Sequence, residues 1–199
     1  MKKEFYFILF FGIIIFSVSA QYQYPKGVYL SFDELKSMQP SADYNIGVEK
    51  RTQGDIVMVG GNDYKLISND KALKKKYLTK EVFAYSDGEA LFLNCVPLRL
   101  SFYYTKVLND GRNYFVFKAC ISPDSDLSFM FGAIGGAIQA TQRYLYAYEK
   151  STGNVISITN ETLKRLLKDN ETLLEEYLNE KIKEDEEIQL KYLIMLNGV

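Results

Sequence analysis

The chain has 199 residues, of which 47% are hydrophobic and 15% aromatic, and its formal net charge is −1. This near-neutral charge argues against nucleic-acid binding, which would show a basic excess. The sequence has no histidine and two cysteines, so it excludes Ser-His-Asp and Cys-His catalysis and a zinc site of four cysteine or histidine ligands within the chain. We expect no metal ion and no cofactor.

Residues 1–20 have the three parts of a secretory signal peptide. Lys2 and Lys3 supply positive charge, Phe5–Phe16 is almost entirely apolar, and the stretch ends in the cleavage pattern Ser17–Ala20. A retained membrane anchor is the alternative, but a spanning helix needs about 20 apolar residues. We expect cleavage after Ala20, with no transmembrane segment left and a periplasmic or extracellular location. Gln21 stands where a lipid-anchored protein would have a cysteine.

The predicted mature chain divides into a tether over 21–26, a mainly β region over 27–158, and a helical C-terminal segment of the same domain over 159–199. Early in the β region, Ser31 and Glu34 have the spacing of a capping box. In that motif the serine side chain caps the helix and the glutamate returns a hydrogen bond. This predicts a short helix over residues 32–38.

Short apolar runs separated by glycine and asparagine predict strands after this helix. Single strands are predicted at Ile46–Lys50, Asp55–Val59 and Tyr64–Ile67. Two hairpins follow between residues 82 and 121, and their turns lie at Asp87-Gly88 and at residues 109–112. An Asp-Gly pair favours a two-residue type I′ turn. Further strands are predicted over 143–149 and 155–158.

Residues 127–140 are uncharged and rich in glycine and alanine. They are too short to span a membrane, and three interpretations stay open. The segment is a loop packed close to the sheet, a surface element that inserts into a membrane or covers an apolar ligand, or a small-residue face for helix pairing. Under the second interpretation the contact residues are Phe129, Met130, Phe131, Ile134 and Ile138, because large exposed apolar patches mark interaction sites.

Cys95 and Cys120 each lie in a predicted strand. An even number of cysteines permits a disulfide in an oxidising compartment, and Cys95 and Cys120 would form it. The alternative, which we prefer, is two buried free thiols that pack as small hydrophobic groups. Neither cysteine has a histidine or an obvious cationic partner beside it in the sequence, so a nucleophilic role ranks below both.

Three helices are predicted in the C-terminal segment. The motif Asn-Glu-Thr-Leu occurs at residues 160–163 and again at 170–173. Thr159 or Asn160 can cap the first helix, and Asn170 can cap the second. Leucines at helical spacing give the helices an apolar side, and Asn197-Gly198 ends the third.

Several motifs, in their order along the chain, resemble a family of small secreted Bacteroidota proteins of unknown function. The matching stretches are Gly27–Glu34 with Pro40-Ser41, Tyr85–Gly88 with Leu91–Cys95, Gly111–Phe115, and Leu166–Asp169. They include the Tyr-Leu-Ser-Phe-Asp-Glu stretch and the Ser-Asp-Gly…Leu-Asn-Cys hairpin, and the order of the motifs along the chain carries the resemblance. It implies a secreted bacterial protein with a shared fold, and it implies no activity and no catalytic residue.

These patterns predict an α+β fold, in which a short N-terminal helix precedes an antiparallel, meander-rich sheet and about three C-terminal helices cover it. The function we expect is a non-enzymatic envelope module that binds a partner protein, an apolar ligand or a membrane surface. The alternatives are a structural homo-oligomer and a hydrolase that works with two carboxylates. The partner is unknown; an envelope protein or a lipid is expected.

Overall fold

A computed structural model describes residues 23–41, 45–70, 73, 76–121 and 141–198. The strands are β1 (Gly27–Tyr29), β2 (Ile46–Lys50), β3 (Tyr64–Ser68), β4 (Ala84–Ser86), β5 (Leu91–Asn94), β6 (Tyr104–Asp110), β7 (Tyr114–Ala119), β8 (Tyr144–Glu149) and β9 (Val155–Ser157). The helices are α1 (Phe32–Lys36), α2 (Gln53–Val59), the π-helical segment Tyr77–Glu81, α3 (Asn160–Leu167), α4 (Glu171–Leu178) and α5 (Glu186–Asn197). The predicted α+β class with C-terminal helices is confirmed.

The strands form one antiparallel sheet in the order β1-β4-β5-β6-β7-β8-β9. The β2–β3 hairpin joins it at the pair Tyr64 and Tyr104. From β4 to β9, each strand of this order pairs with the strand that follows it in the chain. The arrangement is therefore the meander that the sequence predicted.

Strand β7 is buried on both of its faces. Phe115 and Phe117 point into an aromatic cluster, where they stack on Tyr148 and Tyr146 at ring-centroid distances of 6.0 and 5.9 Å. Val116 points the other way, into a second cluster that the C-terminal helices supply. Because successive side chains of a strand alternate between faces, one strand serves two separate cores.

The C-terminal helices cover the second face of the sheet, as the sequence predicted. Thr159 caps α3, Asn170 caps α4 and Asp185 caps α5, each by accepting a backbone hydrogen bond. The helices contribute six buried side chains to this cluster: Leu163, Leu167, Leu173, Tyr177, Tyr192 and Leu193. No helix among the described residues has the length and apolar character that crossing a membrane requires.

Helix α1 begins as its capping pattern predicted. The Ser31 hydroxyl accepts a hydrogen bond from the Glu34 backbone, and the Glu34 carboxylate accepts one from Leu30 N at 2.7 Å. The helix ends at Lys36 instead of continuing to residue 38. Met38 has a φ of 55°, which lies in the left-handed region and is incompatible with a continuing right-handed helix.

The predicted strand at Asp55–Val59 is wrong, because these residues form most of α2. Thr52 and Asp55 make a complete capping box, with Thr52 Oγ1 accepting from Asp55 N at 3.1 Å and Asp55 Oδ2 accepting from Thr52 N at 3.1 Å. This local pattern outweighs the β-branched side chains of the segment, and Ile56 is the residue that the helix buries.

The first hairpin has a longer turn than predicted. Ser86 pairs with Leu91, so four residues, 87–90, connect the strands in place of a two-residue type I′ turn. Asp87 Oδ1 accepts hydrogen bonds from Glu89 N at 2.9 Å and Ala90 N at 2.7 Å. The aspartate side chain therefore replaces the strand partner that these amides lack.

The described part of the predicted tether, residues 23–26, contacts the sheet. Tyr24 is 8% exposed and its ring packs against Tyr29 and Phe115. Ser86 Oγ donates to Tyr24 O at 2.9 Å, and Tyr29 Oη donates to Pro25 O at 2.7 Å. Burial raises the pKa of Tyr29 to about 12, so this hydroxyl remains a neutral donor.

The Thr52 cap yields a test of the corrected helix. Its hydrogen bonds hold the pKa of the exposed Asp55 carboxyl below the ordinary value. A lowered pKa in the folded state stabilises α2 above the ordinary pKa of aspartate, and the effect is lost as the pH falls through the lowered value. Thr52→Val should raise the Asp55 pKa in an NMR titration and speed amide exchange at Ile56 and Gly60, because loss of a cap costs about 1 kcal/mol of helix stability.

Thr172→Val is the matched control for this experiment, since Thr172 is an exposed threonine within α4 with no capping role. If Thr52→Val leaves the Asp55 titration and the α2 amides as they are in the control, the cap does not hold the helix.

Candidate functional site

A groove of about 410 Å³ opens between α1, the β6–β7 turn and the end of β8. Its volume lies at the lower end of the range for small-molecule sites, about 300–1,000 Å³. Its lining combines large apolar side chains with basic ones: Tyr24, Phe32, Leu35, Met38 and Phe115 with Lys36, Arg112 and Lys150. This mixture makes the groove our candidate site.

The floor of the groove is a set of rings in mutual contact. Phe32 packs edge-to-face on Phe115, with centroids 6.2 Å apart and planes at 79°, and lies 5.3 Å from Tyr148. Edge-to-face pairs at these distances are favourable and restrict ring motion. Tyr148 lies behind these rings and is not part of the lining; burial and, to a smaller degree, the charge of Asp33 raise its pKa. The floor is therefore preformed and uncharged.

Lys150 closes one end of the groove, and its ammonium group is already engaged by the protein. Lys150 Nζ pairs with Asp110 and donates to Gly111 O at 2.7 Å. It also lies 4.3 Å from the centre of the Phe115 ring. The Asp110 side chain is only 3% exposed, so the lysine neutralises a buried carboxylate that would otherwise be costly.

Lys36 and Arg112 are exposed side chains on the rim. Neither forms an ion pair with a described residue. No aspartate or glutamate is among the described residues that line the groove. The rim therefore presents two positive charges that form no ion pair with the described residues around them.

The last residue of α5, Asn197, holds the wall of the groove in place. Asn197 is 0% exposed, and its Oδ1 accepts from Asn113 N at 3.0 Å and from Tyr114 N at 2.9 Å. Its Nδ2 donates to Tyr114 O at 2.9 Å, and its backbone carbonyl accepts from Arg112 N at 2.9 Å. A Cβ on Gly111 would lie 2.2 Å from Asn197 Cγ, so this approach requires glycine.

A second polar cluster joins residues that are distant in sequence. Arg143 Nη2 donates to Asp63 Oδ1 at 2.6 Å, and Arg143 Nη1 donates to Cys120 Sγ. Sequence reasoning missed this cationic partner of Cys120, because Arg143 lies 23 residues further along the chain, directly before β8. Burial nevertheless raises the pKa of the Cys120 thiol against the opposing effect of Arg143. The cluster therefore holds a neutral, buried thiol rather than an activated nucleophile.

The predicted site residues fall into two groups. Phe129, Met130, Phe131, Ile134 and Ile138 lie outside the described residues, so their role stays a prediction. Cys95 and Cys120 are both buried free thiols in this structure, and burial also raises the pKa of Cys95. A disulfide between them also stays a prediction. Over the described ranges, no cluster of three or more histidine, cysteine or carboxylate side chains is placed to hold a metal ion.

Two other surface features could serve as sites. A larger groove of about 550 Å³ is lined by Leu98 and Tyr146 and reaches Ile121, which borders residues outside the described part. Helix α2 exposes Val57, Met58 and Val59 by 63%, 84% and 62%. The 550 Å³ groove also has an exposed arginine, Arg99, without an ion pair among the described residues, but its lining holds one aromatic ring. The groove beside α1 is lined by three aromatic rings and by two cations without an ion pair in the described part of the chain.

A family model described as "Family of unknown function (DUF6563)" matches residues 27–199, from the first residue of β1 through α5. Comparison with curated proteins finds no match, and comparison with solved structures finds none. The match covers every residue of the groove except Tyr24.

The Asn197 contacts predict that the C-terminal helix stabilises the groove wall. Asn197→Ala should lower the free energy of unfolding by about 2–3 kcal/mol, because a buried amide such as Tyr114 N would lose its partner. Urea unfolding measures the loss, and amide exchange should accelerate first at Asn113 and Tyr114. Asn179→Ala, an exposed asparagine at the end of α4, is the control. Equal effects of the two substitutions would refute the role of Asn197.

Proposed function

This chain belongs to the family of unknown function DUF6563, and we propose that it is a secreted, non-enzymatic binding module that takes an apolar ligand into the groove beside α1. The observation that carries the proposal is the preformed floor of Phe32, Phe115 and Tyr24 in a groove of about 410 Å³. Apolar, largely preformed concave surfaces with a few polar groups are where proteins bind small molecules.

The proposal that the protein is secreted rests on the sequence of residues 1–20, which lie outside the described residues. A signal peptide with cleavage after Ala20 places the groove in the periplasm or outside the cell. There the available partners are envelope lipids, other envelope proteins and small molecules that cross the outer layers. A soluble apolar molecule is the ligand that suits a groove of this size, because a protein partner needs roughly 800 Å² of surface on each side.

The binding hypothesis is favoured over the hydrolase alternative by the chemistry of the groove. Glycoside hydrolysis needs two carboxyl groups about 5–9.5 Å apart. No carboxylate is among the described residues that line the groove beside α1. The described lining of the larger groove at Leu98 and Tyr146 also contains none. The carboxyl pKa shifts resolved among described residues are those of Asp55 and Glu180, both lowered by hydrogen bonds, whereas a general acid needs a raised pKa.

A neutral apolar dye tests the groove directly. N-phenyl-1-naphthylamine should bind the purified protein with a rise in dye fluorescence. Ser151→Trp should weaken this binding about tenfold, a loss of roughly 1.4 kcal/mol, because Ser151 lines the groove and an indole there fills it. Ser151 is an exposed turn residue, so the substitution should change stability by no more than about 0.5 kcal/mol.

Thr172→Trp, at an exposed position on α4, is the matched control. The natural chain has no tryptophan, so both variants also carry a single indole whose quenching by the dye reports proximity. Dye binding that is equal in the two variants would place the apolar site elsewhere and defeat the proposal for this groove.

A structural homo-oligomer is the second candidate, because α2 exposes Val57, Met58 and Val59 side by side. Under this hypothesis the protein should sediment as a dimer or larger species at micromolar concentration, and Met58→Ser should return it to the monomer. A monomeric mass for the unmodified protein would exclude this candidate.

A further inference from the structure

We infer that the ligand of this groove is an anionic amphiphile, whose charged group binds Lys36 and Arg112 while its apolar body lies on the ring floor. The inference rests on the proposed function and names the chemistry of its ligand. It commits to a free, monomeric carboxylate with a medium-length hydrocarbon chain. Binding to anionic membrane lipid is one of the outcomes that the experiment separates.

The three basic residues of the groove have different roles. Lys150 is engaged by Asp110, Gly111 O and the Phe115 ring, so its charge is already offset. Lys36 and Arg112 have no ion-pair partner in the described part of the chain. The positive charge available to a ligand therefore lies on the rim and not at the Lys150 end.

Three of the carboxylates near the groove have partners in the fold, and one of them, Glu149, accepts a hydrogen bond from Thr152 Oγ1. Asp110 belongs to Lys150, and Glu34 accepts from Leu30 N at the start of α1. Asp33 is exposed on α1 and acts on Tyr148, but it is not among the lining residues. An incoming anion therefore meets two cations at the rim without a carboxylate of the lining to repel it.

Lys36 alone has an ordinary structural explanation, because a cation at the end of a helix is favoured by the helix dipole. Arg112 has none, since it lies in the β6–β7 turn with its backbone amide bound to Asn197 O. That hydrogen bond fixes the backbone of Arg112 at the rim. The exposed guanidinium group that this backbone carries is suited to a carboxylate, which it can bind through two parallel hydrogen bonds.

The apolar lining of the groove indicates what the uncharged part of the ligand is. Phe32, which is half-buried, and Met38, which is 37% exposed, offer the accessible apolar surface of the groove above the buried Leu35 and Phe115. Each methylene that a ligand buries there contributes about 0.8 kcal/mol. A small inorganic anion would leave this surface exposed to water. A neutral hydrocarbon would leave the two rim charges without a partner. Only an anionic amphiphile would contact both the rim cations and the apolar lining.

The experiment compares three probes by titration calorimetry: dodecanoate and dodecyltrimethylammonium, each below its critical micelle concentration, and the neutral dye N-phenyl-1-naphthylamine within its solubility. The variants are the double substitution Lys36→Ala with Arg112→Ala, and the control Arg165→Ala with Lys168→Ala. The control removes the same charge from the surface of α3, away from the groove. Urea unfolding of both variants checks that they fold.

Dodecanoate should bind at least tenfold more tightly than dodecyltrimethylammonium. The rim variant should lose about tenfold in dodecanoate affinity, the value expected for two partly exposed ion pairs, and keep its affinity for the neutral dye. The control variant should match the unmodified protein. Higher ionic strength should weaken dodecanoate binding in the unmodified protein more than in the rim variant, because exposed charges are screened by salt.

The failures of the two proposals are distinguishable. If the dye binds in the groove but the cationic amphiphile binds as well as dodecanoate, the anionic ligand class is wrong and the binding groove stands. If neither the dye nor dodecanoate binds, the proposed function itself fails. If the protein co-sediments with phosphatidylglycerol vesicles through Lys36 and Arg112 but does not bind dodecanoate, the site meets a membrane and the inference of a free ligand is overturned.

Discussion

The double-sided burial of strand β7 is the constraint on which the rest of the structure depends. Phe115 and Phe117 on one face require an aromatic cover, and Val116 on the other requires an aliphatic one. Apolar surface of this extent cannot face water without a large loss of hydrophobic free energy. The N-terminal residues with α1 meet the first requirement, and the three C-terminal helices meet the second.

The groove lies where the cover formed by the N-terminal residues and α1 comes to its end. Helix α1 stops at Lys36. Its Phe32 packs on Phe115, which is only 1% exposed, and the groove lies over these side chains. On the opposite side, the β6–β7 turn would be free to move if it depended on the hairpin alone. Asn197 supplies the missing support from the far end of the chain, and the groove thereby gains a fixed wall.

Charge in this region is divided between fold and surface. Asp110 is buried between strands and needs Lys150, and that lysine in turn packs over Phe115. Breaking such a pair leaves an uncompensated buried charge, which is costly. Lys36 and Arg112 have no comparable structural partner among the described residues, and this difference is what separates the cations of the fold from those available to a ligand.

The helix caps show how far local sequence reasoning reaches. Ser31, Thr159 and Asn170 cap helices where their spacing predicted, because a cap involves residues three positions apart. Thr52 and Asp55 have the same spacing, but the short apolar run between glycines predicted a strand there, and the capping box forms a helix. The four-residue turn at Asp87 was a similar miss, since the register of Ser86 and Leu91 decides the loop length.

The candidate site was beyond the reach of the sequence for a physical reason. Lys36, Arg112 and Lys150 are separated by long stretches of chain and approach one another only when the sheet and α1 have formed. By itself, the sequence determined the signal-like N-terminus, the α+β class and the order of most elements, because these depend on local patterns. Only the tertiary structure decided which lysine is neutralised, that Asn197 supports the β6–β7 turn, and that a ring-floored groove lies between them, because each depends on contacts across the sheet.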